Sequence, residues 1–478
     1  MEQLEQVTEF ALKVWKYFSL HCFKYEIFSI CTIYVAGKST VIDLVAKWTT
    51  SILQQAGDSP DQPYILLTAF TGTAASNIGG GTLTSTFNFG YGNNFTSFGD
   101  RERDAKKLML RKLVALIIDE ISFVKADMLY MLNLRLQEIM ENKKPFGGVA
   151  IYAFGDIFQL QPVAGRHIFA QPSNPAYHVT FMLHNLWRML TVVNLTINHR
   201  QGASREFSEL LNRARTLRRG QMDEADVKVW KSRVRPKGHK DLEGAEINII
   251  CTRIVGSKMN KKYLRGVDGD EIKVEAVTYM ASQKKFSPPM HRSKDGTIAD
   301  THFMKELCLK VGAKVMLIKN IRTEDSLTNG QLGVLVGVIK DKEGGVKSLM
   351  VLFKKADAGK LTRREHPQLE VKYPGATKVE KALVQFSLKK GSSAKATLIQ
   401  FPIVLAHAIT VHKTQGATIY KPLTATMDIM STFDAAQGFV GASRTQELNQ
   451  LFFVDEFDPD KMYASAAALV AVQEMDAR

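Results

Sequence analysis

A chain of 478 residues, 45% hydrophobic and 23% charged, has the composition of an ordinary globular protein long enough for about two to four domains, which excludes a single small binding module and a low-complexity chain. Its 63 Lys and Arg against 48 Asp and Glu leave a net charge of +15, unevenly spread: residues 1–200 carry 18 basic and 16 acidic side chains, residues 201–478 carry 45 and 32. A basic excess in the second part suits a polyanion such as nucleic acid, although lysine used only for solubility gives the same tally.

Four cysteines, Cys22, Cys31, Cys251 and Cys308, lie far apart without a CxxC pair, so neither a disulfide framework nor a zinc site is expected, and a reducing compartment fits. In chain order, the apolar stretch from Phe10 to Gly37 is interrupted by Lys13, Lys16, His21, Lys24 and Glu26, and neither a signal peptide nor a transmembrane helix is expected. Ile33 to Val35 reads as a strand leading into AGKST, Ala36 to Thr40, and a helical run from Val41. Strand, Gly37-Lys38-Ser39 and helix is the order of a phosphate-binding loop: N–H groups at the helix start face phosphate oxygens, Lys38 supplies charge, and Ser39 can ligate Mg2+. The GxxxxGK[ST] pattern is broken at Thr32. With the strand at 33–35, only Ala36 and Gly37 precede the lysine, a loop too short to wrap a β-phosphate.

Short apolar runs at Tyr64–Leu67, Leu113–Ile118, Val149–Phe154 and Ile247–Cys251 alternate with helical patterns, the rhythm of a parallel sheet with crossover helices. Met128, Leu129, Leu132, Leu136 and Ile139 place an amphipathic helix at 126–141. Between Gly312 and Leu398 the texture becomes β-like, with runs at Lys314–Ile318, Gly333–Ile339, Ser348–Phe353 and Ala382–Ser387, as in a small inserted barrel, before the α/β pattern returns at Phe401–Thr410. Lys389 to Lys395 reads as a connector.

Asp119 and Glu120 leave the end of an all-apolar strand in LVALIIDEIS. Two such carboxylates suit a phosphoryl-transfer ATPase, the first holding Mg2+ and the second polarising the attacking water, though a solvated strand end would look the same. A third strand ends in Gly155-Asp156 and leads to Gln159, which could sense a γ-phosphate or simply serve a turn. NHRQ at Asn198–Gln201, ITVHKTQGATI at Ile409–Ile419 and FVGASR at Phe439–Arg444 follow, and two arginines on a second domain facing a phosphate loop would stabilise transition-state charge.

These segments, with Ala69–Phe87, Phe154–Val163, Gly312–Ile321 and Thr328–Gly333, resemble the superfamily 1 DNA helicases of the Pif (petite integration frequency) and RecD type, from about Thr32 to Val454. The resemblance implies an α/β fold of two RecA-like P-loop domains with parallel sheets, plus a small SH3-like β-barrel inserted in the second. It divides the chain into domain 1 at 1–190, with a degenerate phosphate loop at 32–40 and a DNA-facing insertion at about 83–105; domain 2 at 191–311 and 396–478; and the insert at 312–395. It implies ATP and Mg2+ as cofactors, with ATP between the two domains and single-stranded DNA across their tops.

Residue by residue, the resemblance assigns Gly37, Lys38, Ser39 and Thr40 to the phosphates, Ser39 and Asp119 to Mg2+, Glu120 to the catalytic water and Gln159 to the γ-phosphate. Arg200 and Arg444 become γ-phosphate contacts, and Gln415 and Gly416 link nucleotide to DNA. Thr71, Gly72, Thr82, Thr410, His412 and Lys413 fall in DNA-touching segments, although Thr82 and Thr410 also read as plain strand-end residues. The implied function is an ATP-dependent DNA helicase moving 5′ to 3′ in repair, recombination, telomere or genome maintenance, or in a mobile element. Its partners are single-stranded and forked duplex DNA, with no membrane; it is expected to be monomeric and intracellular, nuclear in a eukaryote, with the mitochondrion as the other compartment. The chain departs from the family pattern in its phosphate-loop glycines, in Thr84 where the family has histidine, and in the poor match of Leu4–Gln6 to the adenine-reading segment. The alternative is a helicase-shaped protein that binds single-stranded nucleic acid but has lost ATPase activity.

Overall fold

The computed structural model describes residues 29–32, 38–59, 62–90, 92–162, 165–193, 201, 204–280, 296–298, 303–387, 395–415, 418–419 and 421–477. The chain forms two compact units: Met1–Val229 with Asp434–Glu447 and Asp458–Arg478, and Trp230–Phe433 with Leu448–Phe457.

The first unit is built on a six-stranded parallel sheet. Its strands are β1 (Ser29–Thr32), β2 (Ile65–Ala69), β3 (Gly81–Thr82), β4 (Ala115–Asp119), β5 (Ala150–Phe154) and β6 (Thr191–Val193), in the order β3-β2-β4-β5-β1-β6. Every residue of β4 is buried, as are Ile151 to Phe154 of β5, because helices cover both faces of a parallel sheet and leave no solvated side for polar alternation. Helix α1 (Lys38–Leu53) turns Val41, Ile42, Val45 and Thr49 inward, and α3 (Ala126–Met140) turns Leu129, Leu132, Leu136 and Ile139 inward, each at near-helical spacing. A shorter helix, α2 (Gly72–Asn77), follows β2.

β1 runs in parallel register with β5 from Ser29 opposite Ile151 to Thr32 opposite Phe154. The strand expected at Ile33–Val35 and the first two residues of AGKST lie outside the described residues. The units also divide differently from the boundaries drawn on the sequence. β6 hydrogen-bonds to β1, so the first sheet runs past residue 190. Helix α4 (Arg205–Arg215) and the segment Asp434–Glu447 also belong to the first unit.

The second unit holds a five-stranded parallel sheet in the order Ala408–Thr410, Ile247–Ile250, Ala425–Met427, Leu451–Val454 and Val234–Arg235. A second, antiparallel sheet joins Thr377–Glu380, Val346–Phe353, Leu332–Lys340, Lys314–Leu317 and Ile403–Leu405, and packs a separate core around Val315, Leu335, Leu349, Val351 and Phe401. Three of the four β runs read between Gly312 and Leu398 fall in this sheet. The fourth, Ala382–Ser387, pairs with Lys395–Gln400 in a three-stranded sheet, whose pairing starts at Ser387 opposite Lys395.

Gly80 sits where its chain passes β2: a Cβ there would lie 2.2 Å from the Leu67 carbonyl oxygen, a backbone atom that cannot swing aside. Gly80→Ala should therefore destabilise the first unit by about 1–3 kcal/mol, read as a lowered urea midpoint; an unchanged midpoint would contradict this packing.

Candidate functional site

In the first unit the expected nucleotide residues converge at the carboxyl ends of adjacent strands, where parallel sheets bind ligands. Asp119 ends β4 with 6% exposure, and one of its oxygens accepts the Glu120 backbone N–H at 2.8 Å. Glu120, itself buried, has φ 54 and ψ 49, a left-handed conformation that non-glycine residues rarely adopt. Its carbonyl accepts the Phe123 N–H at 3.1 Å, which starts the turn carrying the chain away from the strand. Backbone strain of this kind costs about 1–3 kcal/mol and concentrates at functional sites.

Lys38 is the first residue of α1 and half-buried; Ser39 and Thr40 follow, Thr40 exposed. Burial pushes the Asp119 carboxyl up to about 6. The Lys38 ammonium opposes that rise, the Glu120 charge adds to it, and the Glu120 N–H lowers it. Lys38 and the carboxylate pair thus share one electrostatic neighbourhood. The donor set fits Mg2+, a hard cation that takes one or two carboxylate or hydroxyl oxygens and completes its shell with water and phosphate.

The segment after β2 lies alongside. Phe70 donates its N–H to the Asp119 carbonyl at 3.4 Å and stacks on Phe123 at 5.7 Å. Thr71 follows, and its hydroxyl accepts the Ala74 N–H, capping α2, whose first residue is Gly72. Thr82 caps the helical turn Leu83–Thr86 by accepting the Ser85 N–H at 3.2 Å, so its hydroxyl already has the strand-end role that the sequence allowed.

Beyond β5, Gly155 is required: a Cβ would lie 2.8 Å from the Ile121 backbone N and Cγ2. Asp156 is fully buried, and Gln159, 4% exposed, donates its N–H to the Asp156 carbonyl at 2.9 Å and its Nε2 to the Asp156 carboxylate at 3.4 Å. Sequence reasoning missed the partner that makes this burial tolerable. Arg215, 2% exposed at the end of α4, binds Asp156 through Nη2 at 2.7 Å and Nε at 2.8 Å and lies over the Phe158 ring at 4.7 Å. A charged residue straight after an apolar strand signals the need for such a partner, but no spacing rule identifies which arginine supplies it.

Arg444 is corrected in one respect. Its segment belongs to the first unit, together with Lys38, Asp119, Glu120 and Gln159. The wholly buried helix Gln437–Ala442 packs against α4. The Arg444 guanidinium donates to the Val440 carbonyl at 2.7 Å and the Ser443 hydroxyl at 2.6 Å. Gln201, the last residue of NHRQ, donates to the Ser443 and Thr445 carbonyls, so those two motifs do meet. Gly37, Arg200 and Gly416 lie outside the described residues.

In the second unit, Thr410 ends a strand and opens the helical turn Val411–Thr414. His412 is half-buried, Lys413 exposed and Gln415 buried. A second feature unread from sequence fixes this strand: Asn260 accepts the Ala408 N–H at 2.8 Å and donates to the carbonyls of Ala408 and Leu405. His407 stacks on Tyr263 at 4.1 Å and pairs with Asn248. Burial, with Lys314 nearby, pushes its ring down to about 4, so it is neutral at pH 7.

Residues 48–228 match the model of the PIF1-like helicase family, and residues 300–338 match that of the DNA helicase Pif1 2B domain. The crystal structure of Pif1 helicase from Candida albicans has the same fold, with a TM-score of 0.68 and 23% identity over 94% of this chain and 95% of that one. Over these segments the chain is similar to the Pif1-like helicases. The ATP-dependent DNA helicase Pif1 of a Psychrobacter species is 27% identical over 418 residues, 81% of this chain and 60% of that protein. Across the Psychrobacter, Emericella nidulans and Candida albicans relatives the chain spans 48–60% of their length. A Bacteroides Pif1 structure described as a complex with ADP-AlF3 and single-stranded DNA aligns with a TM-score of 0.64 and 22% identity, over 94% of this chain and 93% of that one.

Because the Asp119 carboxyl is raised from 3.8 to about 6, it binds a proton more readily folded than unfolded. Its charge therefore opposes folding fully above pH 6, and not at all below 3.8. Asp119→Asn should stabilise the protein by about 1–3 kcal/mol at pH 7.5, and this advantage should vanish as the pH falls to 4, measured by urea unfolding of both proteins at each pH. An advantage that grows on acidification would reverse the assignment.

Proposed function

We propose that the chain is an ATP-dependent DNA helicase, using ATP hydrolysis at the β4 carboxylates to translocate 5′ to 3′ on single-stranded DNA. The observation that carries this reading is the buried Asp119-Glu120 pair at the end of β4, held in the electrostatic field of Lys38 at the start of α1. Lys38 and the helix start would bind phosphate oxygens, and Ser39 and Asp119 would hold Mg2+, which supplies charge neutralisation of the phosphates when bound. Glu120 would take the proton of the attacking water, Gln159 would sense the γ-phosphate, and Arg200 and Arg444 would meet its developing charge. Gln415 and Gly416 would couple this site to the DNA track, which Thr71, Gly72, Thr82, Thr410, His412 and Lys413 would form. The antiparallel sheet beginning at Lys314 would be the core of the SH3-like insert. Forked duplex DNA is the expected substrate, and a neighbouring structure described as two coordinating Pif1 helicases at forked duplex DNA offers a second copy as an alternative to the monomer. Among the described residues no helix is long and apolar enough to cross a membrane.

The alternative is a helicase-shaped binding protein without turnover, and what favours it is the sequence of the phosphate loop. Thr32 and Val35 stand at two positions where the family pattern has glycine, and Gly37 is retained. None of residues 33–37 is proline, so every backbone N–H donor is kept, but the conformational freedom that glycine gives the family pattern at positions 32 and 35 is lost.

Glu120→Gln should abolish DNA-stimulated ATP hydrolysis and leave DNA affinity within about twofold, because it removes the proton acceptor while keeping its shape. Phosphate release and fluorescence anisotropy on a labelled single strand measure the two. Hydrolysis by the variant at the parent rate would remove Glu120 from its role, and a parent that never hydrolyses ATP would favour the binding protein.

A further inference from the structure

The buried ion pair between α4 and the end of β5 reaches further than packing. Both Asp156 oxygens are engaged: one accepts Arg215 Nη2 at 2.7 Å and the Phe158 N–H at 3.0 Å, the other accepts Arg215 Nε at 2.8 Å and Gln159 Nε2 at 3.4 Å. An ionised carboxylate only accepts, so the Gln159 amide must face it with its nitrogen, and its carbonyl oxygen is the end turned elsewhere. Were the partner an asparagine or a protonated acid, it could donate as well, and the amide could reverse.

Arg215 is positioned to enforce this. Its helix is anchored by buried Phe207, Leu210, Leu211 and Ala214, its guanidinium binds bidentately and lies over the Phe158 face, and the pair is 2% and 0% exposed. The neighbouring Arg213, by contrast, makes a half-exposed pair with Asp226. Apolar side chains could fill the same volume without the desolvation cost of two charges, so packing alone does not call for an ion pair here.

We propose that Arg215 is a positioning residue for ATP turnover, holding the Asp156 carboxylate so that it orients the Gln159 amide toward the reacting phosphate and water. This rests on the helicase reading above. The distinguishing feature is that Arg215 acts through Gln159 and not beside it.

The test compares the purified full chain with Arg215→Met, Gln159→Ala, their combination, and the uncharged pair Asp156→Asn with Arg215→Gln, by steady-state DNA-stimulated ATPase activity. Arg215→Met is expected to lower kcat about tenfold or more, with KM for ATP changed less than about threefold, and the combined variant should be no slower than Gln159→Ala alone within about twofold. Losses that multiply in the combination, or a parent-like kcat in Arg215→Met, would overturn the proposal. Should Arg215→Met fail to fold by circular dichroism, the uncharged pair, which removes both charges together and leaves an amide at each position, carries the same expectation of a slowed kcat, and parent-like turnover in it would overturn the proposal. A parent without DNA-stimulated hydrolysis would overturn the functional reading itself and this inference with it; multiplying losses in an active parent would remove only the inference.

Discussion

A carboxylate that leaves a fully buried strand must find a counter-charge or give up its own, and the first unit meets that constraint twice on adjacent strands. Asp156, after β5, receives a bidentate guanidinium that satisfies both of its oxygens. Asp119, at the end of β4, receives one backbone N–H and the field of Lys38, which do not offset its burial, and its carboxyl is pushed up to about 6. The difference separates a structural acid from a chemical one. Full internal pairing leaves Asp156 no valence for a ligand, whereas the under-compensated Asp119 has most to gain from an arriving cation.

The same strand ends also explain the local backbone. Glu120 is held left-handed and Gly155 admits no side chain because the chain segments leaving β4 and β5 press together at Ile121. Asp119, Glu120 and Gln159 thus lie at one end of the sheet. Strain in one loop and a missing side chain in the next are two consequences of the same close approach.

Much of this was legible in the sequence where the signal was local. Runs such as LVALIID are apolar throughout because a parallel strand is covered on both faces, and the acidic residues that end them mark the site. The helix 126–141 and the β texture after Gly312 were equally readable from period. The first strand was not: 29–35, SICTIYV, contains no turn residue that marks where a strand begins or ends, and the described strand is Ser29–Thr32. The partners of Asp156 and of the Ala408–Thr410 strand, Arg215 and Asn260, were also illegible, being 59 and roughly 150 residues away in sequence.

The two compact units also divide the chain differently from the order of its motifs. Motif order suggested that everything after about residue 190 except the insert formed one domain, yet the chain returns to the first unit at Asp434–Glu447 and again at Asp458–Arg478. The returning helix is buried on every residue and carries a buried arginine, features that a sequence displays only as a short run of small and apolar residues, QGFVGA. What keeps it there is specific hydrogen bonding. Gln201 reaches two of the carbonyls that follow the helix, and Ala436 donates to Tyr463 in the last segment. Helix α4 lies at the centre of this arrangement, packing against the returning helix and delivering Arg215 to Asp156. An element that sequence patterning marks only as amphipathic thus joins two motifs that stand almost 300 residues apart, so a displacement of α4 would reach Gln159 through Asp156 and Arg444 through the helix that precedes it.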